Sequence, residues 1–176
     1  IRRELLKRKL YEKQAESIGL ALPQNLSMYE GSWRNIRPET YKKFQAFESG
    51  DPDYIGRIVF PIIDLTGKIR AFIGRHTTQG TPKYKVTPPK AKMPFYPKAE
   101  PYQGHILLVE GIFDVLNLHD KGLTNAVCSF GTKTINEDKL RMLSIQGVDT
   151  VDIFLDGDEA GQSAAALVAN LCDSAD

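Results

Sequence analysis

The chain has 176 residues, with 23 Lys+Arg against 22 Asp+Glu, a formal net charge of +1, and 41% hydrophobic and 26% charged residues. This is the composition of a folded soluble protein; it excludes general disorder, and the length suits one large domain or two small lobes. No apolar run approaches the roughly 18–20 residues of a bilayer span, the charged opening IRRELLKRKL has no signal core, and Cys128 and Cys172 make neither a metal spacing nor a disulfide framework, so a reducing cytoplasm and no membrane are expected.

Residues 1–20 place Leu5, Leu6, Tyr11, Ala15 and Ile18 at roughly helical spacing, and Gly19 suits a stop. Arg37-Pro38-Glu39 has the look of a helix start and predicts a short helix over residues 39–47. GDPD at residues 50–53 is a loop. RIVFPII at 57–63 is a β-rich run, DLTG at 64–67 a turn, and KIRAFIGR at 68–75 alternates polar and apolar over much of its length. Together they predict a hairpin. A stretch rich in Pro and Lys at 81–98 is expected to be extended, with one short strand near 84–86.

From His105 the pattern becomes strand, helix, strand, helix, strand, helix. Strands are expected at 105–109, 125–129 and 150–155, and helices at 112–121, 136–145 and 160–171. Alternating βα units imply a parallel sheet flanked by helices. The expected fold class is α/β, with that sheet over residues 101–176 and a mixed helix and hairpin lobe over residues 1–100. There is no internal repeat and no low-complexity stretch.

The near-zero net charge hides a split. Residues 1–100 carry 19 basic and 10 acidic side chains, whereas residues 101–176 carry 4 basic and 12 acidic ones. A lobe facing a polyanion beside an acidic lobe has this contrast; so do two ordinary solvated faces.

The acids are not scattered evenly. The first strand of the βα region runs into Glu110-Gly111, and the third into Asp156-Gly157-Asp158. Ligands of open α/β sheets collect at the carboxyl ends of strands. Asp114 follows Glu110 by four residues, one helical turn along the same side. Four carboxylates brought together repel one another, and a divalent cation that prefers hard oxygens removes the repulsion; magnesium is the natural one. The competing reading has Glu110 and Asp156 capping helix N-termini, where the helix dipole favours acids.

LVEGIFDV at 108–115 and FLDGDEAG at 154–161 resemble the Toprim signature, a glutamate after one strand and a DxD after a later one. AVCSFGT at 126–132 resembles the "ASLGT" segment of DnaG-type primases, and DEAG at 158–161 their "D-x-AG" step. Upstream, RIVFPI, FIGR (72–75) and TPKY (81–84) resemble the primase "RIMFPI", "FGGR" and "PKYLNSPET" segments, in family order. The resemblance covers residues 55–172 and, more loosely, 1–54. It implies a primase RNA-polymerase core of bacterial, phage or plasmid lineage, acting in the cytoplasm of the cell or of the phage host. It also implies that Glu110, Asp114, Asp156 and Asp158 hold the metal, Mg2+ with Mn2+ as a substitute, and that Glu110, Asp156 and Asp158 are catalytic. The family carries a further acidic motif after the DxD helix and an amino-terminal zinc module, so a fragment of a longer protein is expected.

Residues 57–98 hold nine basic side chains and one acid, with Phe60, Phe72, Tyr84, Phe95 and Tyr96 among them. Lys and Arg neutralise phosphates, and aromatic rings can stack on unpaired bases. Phe60 and Phe72 are expected in the core, and Trp33 is expected to be a packing anchor of the first lobe. Arg57, Arg75, Lys83 and Lys92, each at or near a family motif, are expected to bind nucleotide or template. The expected partners are single-stranded DNA and ribonucleoside triphosphates, with a replicative helicase engaged by regions outside this chain. The expected activity is primer RNA synthesis by nucleotidyl transfer in DNA replication. A Toprim nuclease and a non-catalytic nucleic-acid-binding module are the alternatives.

Overall fold

A computed structural model describes residues 13, 20, 22–97 and 104–175. The helix expected over residues 1–20 therefore lies outside the described residues, apart from Lys13 and Leu20, and so does Lys98. The chain forms two compact units divided between Lys92 and Met93.

The first unit is an antiparallel meander of β1 (Leu26–Met28), β2 (Phe47–Ser49), β3 (Arg57–Ile63), β4 (Ile69–His76) and β5 (Tyr84–Thr87), in sequence order across the sheet. The expected hairpin is β3–β4. Its turn is closed by Asp64, whose Oδ1 accepts from the Thr66 N–H at 2.8 Å and the Lys68 N–H at 3.0 Å. Burial pushes the Asp64 carboxyl up, but hydrogen bonds from Thr66, Lys68 and Arg70 outweigh it and hold it below the usual range. Between β1 and β2 lie a 3-10 turn at Trp33–Asn35 and helix α1 (Pro38–Lys43), which starts at the proline as predicted. The helix stops short of residue 47. Gln45 adopts a left-handed φ of 57°, and Phe47 pairs with Val59 of β3 instead.

The register decides what each face of this sheet carries. Val59 pairs with Gly74 and Phe60 with Ile73, so the two alternate sets of β3 and β4 residues face opposite ways. One face packs Val59 and Phe72 against Leu20, Phe47 and Tyr54. The other carries Phe60, stacked at 6.4 Å on Tyr41 of α1. Phe60 and Phe72 are buried, as expected.

The second unit holds β6 (His105–Val109), α2 (Ile112–Asp120), β7 (Ala126–Cys128), α3 (Glu137–Ile145), β8 (Thr150–Ile153) and α4 (Glu159–Ala175). The three strands are parallel, in the order β7-β6-β8, and helices flank them. The elements follow the expected order; β8 ends at Ile153, two residues early, and α4 runs on to Ala175. The outer edge of β7 is covered by Tyr96, which exchanges backbone hydrogen bonds of 2.7 and 3.0 Å with Cys128. Burial pushes the Cys128 thiol up to about 12, which makes it inert. Ile106 and Leu108 of β6 are fully buried among Val127, Leu140, Leu143 and Val168. No helix of the described residues is long and apolar enough to cross a membrane.

Leu108 is a fully buried side chain of the central strand, so Leu108→Ala is expected to destabilise this unit by about 2–5 kcal/mol. Urea denaturation of the two proteins measures it; a loss well under about 1 kcal/mol would contradict this account of the core.

Candidate functional site

Glu110 follows the last residue of β6 and is half-buried. Asp114 lies in the first turn of α2 and is exposed; its Oδ2 accepts from the Gly111 N–H at 3.1 Å. Asp156 and Asp158 follow β8, both exposed. Asp158 Oδ1 accepts from the Gly161 N–H at 2.7 Å and so caps α4. The cap bonds thus fall on Asp114 and Asp158, not on the Glu110 and Asp156 of the capping reading. Each uses one carboxylate oxygen and leaves the other.

The four acids belong to one rim. Asp114 and Asp156 line the same recess of about 190 Å³, together with Val109, Asn117 and Phe154. Burial, then the charges of Asp156, Asp158 and Asp114, raise the Glu110 carboxyl above its ordinary value. Among the described residues, no three His, Cys, Asp or Glu side chains stand close enough to form a ready coordination sphere. The donor set nevertheless fits a hard divalent cation: four carboxylates, with no soft ligand, in mutual repulsion.

Local backbone holds the rim in place. The amide of Phe154 donates to the Leu108 carbonyl at 2.8 Å, which carries the β6–β8 pairing one step past β8 toward Asp156. Gly161 lets α4 approach the loop, because a Cβ there would lie 1.9 Å from the Asp156 carbonyl oxygen. The glycine of the DEAG step is therefore steric in origin. On the other flank, Phe130 (φ 61°) and Gly131 (φ 105°) turn the SFGT segment so that the Gly131 N–H donates to the Glu110 carbonyl at 3.2 Å.

Sequence reasoning missed Lys139. Its Nζ donates to Thr134 Oγ1 at 3.3 Å and to the Ser129 carbonyl at 3.4 Å, and lies 5.0 Å from the centre of the Phe95 ring. It steadies the SFGT segment from below. Burial pulls its ammonium down to about 8. A lysine one turn into a helix reads as solvated, and only the position of Phe95 reveals that it is covered.

The expected phosphate contacts divide. Arg57 is buried, at 5% exposure. Its Nη2 donates to the Pro82 carbonyl at 2.8 Å and its Nη1 to the Gly74 carbonyl at 3.2 Å. It clamps the β4–β5 connection and does not face solvent. Gly74 makes room for its stem, since a Cβ there would stand 3.0 Å from Arg57 Cδ. Arg75 is half-buried, and Lys83 and Lys92 are exposed. Arg70 and Lys85 are engaged by Asp64 and Asp53.

Residues 104–176, which hold the strands and helices of the second unit, match the Toprim domain family. The chain is homologous to the catalytic cores of DnaG-type DNA primases. It is 36% identical over 130 residues to the DNA primase of Rickettsia felis, an alignment covering 67% of this chain and 21% of that protein. It superposes on the DnaG primase catalytic domain bound to ssDNA with a TM-score of 0.58 and 26% identity, over 95% of this chain and 57% of that one. With the zinc-binding and RNA polymerase domains of the Aquifex aeolicus primase, the TM-score is 0.60 at 29% identity, over 80% and 38% of the two chains. The chain spans about a fifth of the length of the curated relatives it matches.

Gly161→Ala is expected to displace the Asp156–Asp158 loop and to destabilise the second unit, measured by urea denaturation; unchanged stability would mean that the close approach is dispensable. Lys139 offers a second check through pH. Its pKa is lower folded than the 10.5 usual for lysine. The unfolded chain therefore binds more protons between about 8 and 10.5, and stability from this group rises across that window. The thermal midpoint of the wild type relative to Lys139→Met is expected to climb from about pH 7.5 to about 10; a flat difference would show that Lys139 titrates alike in both states.

Proposed function

We propose that this chain is the catalytic core of a DNA primase, joining ribonucleotides on single-stranded DNA. The observation that carries the reading is Glu110, a half-buried carboxyl pressed upon by Asp156, Asp158 and Asp114 at the carboxyl ends of two adjacent parallel strands. Homology to DNA primases supports the chemistry. The likeness to a DnaG catalytic domain that is bound to ssDNA supports the template.

In this reading Glu110, Asp114, Asp156 and Asp158 would hold Mg2+, which when bound would supply positive charge against the triphosphate oxygens and favour deprotonation of the attacking 3′-hydroxyl. The chain's own part is positional. Glu110 is fixed by β6 and by the Gly131 amide on its carbonyl. Asp158 is fixed by its cap on α4. Rigid placement of the reacting groups, with electrostatic stabilisation, supplies most of the rate in such transfers. Arg75, Lys83 and Lys92 contact phosphates of template or nucleotide, whereas Arg57 acts by holding the strand connection beneath them. Ribonucleoside triphosphates are the substrates, pyrophosphate is released, and a replicative helicase is engaged by parts of the protein outside this chain.

Glu110→Gln keeps the size of the side chain and removes its charge. It is expected to lower ribonucleotide incorporation on a single-stranded template about 10²-fold or more, while affinity for an oligodeoxynucleotide, read by fluorescence anisotropy, stays within about twofold because phosphate binding rests on the basic residues. Equal synthesis by the variant would sink the reading. Loss of labelled DNA in place of RNA synthesis would convert it to a nuclease.

A further inference from the structure

Lys139 stands in an unfavourable place for a cation. It is half-buried, burial pulls its ammonium down, and among the described residues no carboxylate pairs with it. Glu137, two residues earlier on α3, is engaged by Arg141 instead. Taking an ammonium out of water costs stability unless its partners repay it. An apolar side chain would fill the same space against Phe95 without that cost. What the ammonium adds is directed hydrogen bonding, and its root is held for the purpose: the Lys139 N–H donates to Asn136 Oδ1 at 2.9 Å, the cap of α3.

Both partners of the ammonium belong to the loop that follows β7. Lys139 Nζ donates to Thr134 Oγ1 at 3.3 Å and to the Ser129 carbonyl at 3.4 Å. Thr134 ends the 3-10 turn at Thr132–Thr134, and its hydroxyl lies 2.6 Å from the Ser129 carbonyl and 2.9 Å from the Gly131 carbonyl. Ser129 is fully buried, and its hydroxyl donates to the same Gly131 carbonyl at 2.9 Å. The network ends at the Gly131 N–H, which donates to the Glu110 carbonyl at 3.2 Å. Between Ser129 and Gly131 stands Phe130, a bulky residue at a left-handed φ of 61°. Such a residue persists only where its surroundings over-determine it. Lys139 is the charged donor of this network, and hydrogen bonds from a charged donor are about twice as strong as neutral ones.

We infer that Lys139 is a positioning residue for Glu110: through Ser129, Thr134 and Gly131 it fixes the Glu110 peptide at the end of β6, and with it the direction in which the carboxylate leaves the strand. It acts through the loop and not by contact with reacting atoms. The inference rests on the primase reading for its effect on rate, whereas the link from Lys139 to Glu110 is measured without any reaction. A lysine that only supported the fold would loosen the whole second unit when removed. A positioning lysine loosens one end of it.

Lys139→Met keeps an unbranched stem against Phe95 and removes the donor. Hydrogen exchange of the metal-free protein, followed by NMR, is expected to quicken about tenfold at the Gly131 amide, in keeping with the loss of hydrogen bonds from a charged donor. The Phe154 amide, which donates to the Leu108 carbonyl on the β8 side of β6, is expected to stay within about twofold. In ribonucleotide incorporation, kcat is expected to fall about tenfold while KM for the nucleotide stays within about twofold, because misplacement of a reacting group is felt in the transition state. Thr134→Val keeps the shape and removes the relaying hydroxyl, and is expected to reproduce both changes. Thr134→Ser, which keeps the hydroxyl, is expected to behave as the wild type. Unchanged exchange at Gly131 in both Lys139→Met and Thr134→Val would overturn the inference, and so would equal acceleration at Gly131 and Phe154. Selective acceleration with an undiminished kcat would overturn it as well. Selective acceleration in a protein whose wild type makes no RNA would leave the link to Glu110 standing and overturn the synthesis.

Discussion

Mutual repulsion among carboxylates is the constraint around which the second unit is organised. Glu110, Asp114, Asp156 and Asp158 stand at one end of a small parallel sheet, where strand termini leave side chains near each other and little backbone between them. Unfavourable charge of this kind survives folding only when the scaffold beneath it is strong. The scaffold is the central β6, with its buried Ile106, Leu108 and Val109, gripped by β7 on one side and β8 on the other. Asp114 and Asp158 soften the repulsion by each giving an oxygen to a helix N-terminus, where the dipole favours negative charge. Glu110 has less relief, because burial takes away water as well, and its proton affinity rises accordingly. A cation would reverse that sign, which is the electrostatic sense of gathering acids in one place.

The backbone around the rim is arranged to let strands and helices come unusually close. Gly161 brings α4 against the Asp156 carbonyl, and Gly131 brings the β7 loop to the Glu110 carbonyl. These are different uses of the same residue type. At Gly161 the absence of a Cβ matters, because the space is filled by backbone. At Gly131 nothing lies within 4 Å of a would-be Cβ, and the left-handed φ is the reason. Lys139 completes the support by tying Ser129 and Thr134 together beneath the loop.

Much of this was legible in the sequence because the βα region is regular. Apolar runs of four or five residues followed by helical spacing leave one arrangement, a parallel sheet, and the acids at strand ends follow from where the runs stop. Charge at a strand end is visible; its orientation is not. That Asp114 and Asp158 turn one oxygen to a cap depends on backbone amides whose direction no residue pattern reports. The first unit was harder. The sequence pattern carries its helix through FQAF at 44–47, which continues a helical composition, while the chain breaks it with a left-handed Gln45 and uses Phe47 as a strand residue. β1 was missed altogether: three exposed residues carry no alternation to detect.

Arg57 and Arg75 show how far residue type alone can mislead. Both lie in motif-like segments of neighbouring strands, and both invite the same assignment to phosphate. The pairing register separates them. Arg75 is opposite Ile58, so Arg57, one residue earlier in β3, projects from the other face of the sheet. There it meets Gly74 and the Pro82 carbonyl, and its fork is spent on holding backbone. Arg75 emerges beside Tyr84 and Trp33, and among the described residues its Nε has no hydrogen-bond partner. A lysine at position 57 would keep the charge and lose the second directed donor, so the requirement for arginine there is geometric. At position 75 the requirement is the flat, delocalised cation that can lie along two rings. The same guanidinium chemistry thus holds backbone on one face of the sheet and lies against two aromatic rings on the other, and a one-residue difference in register decides which.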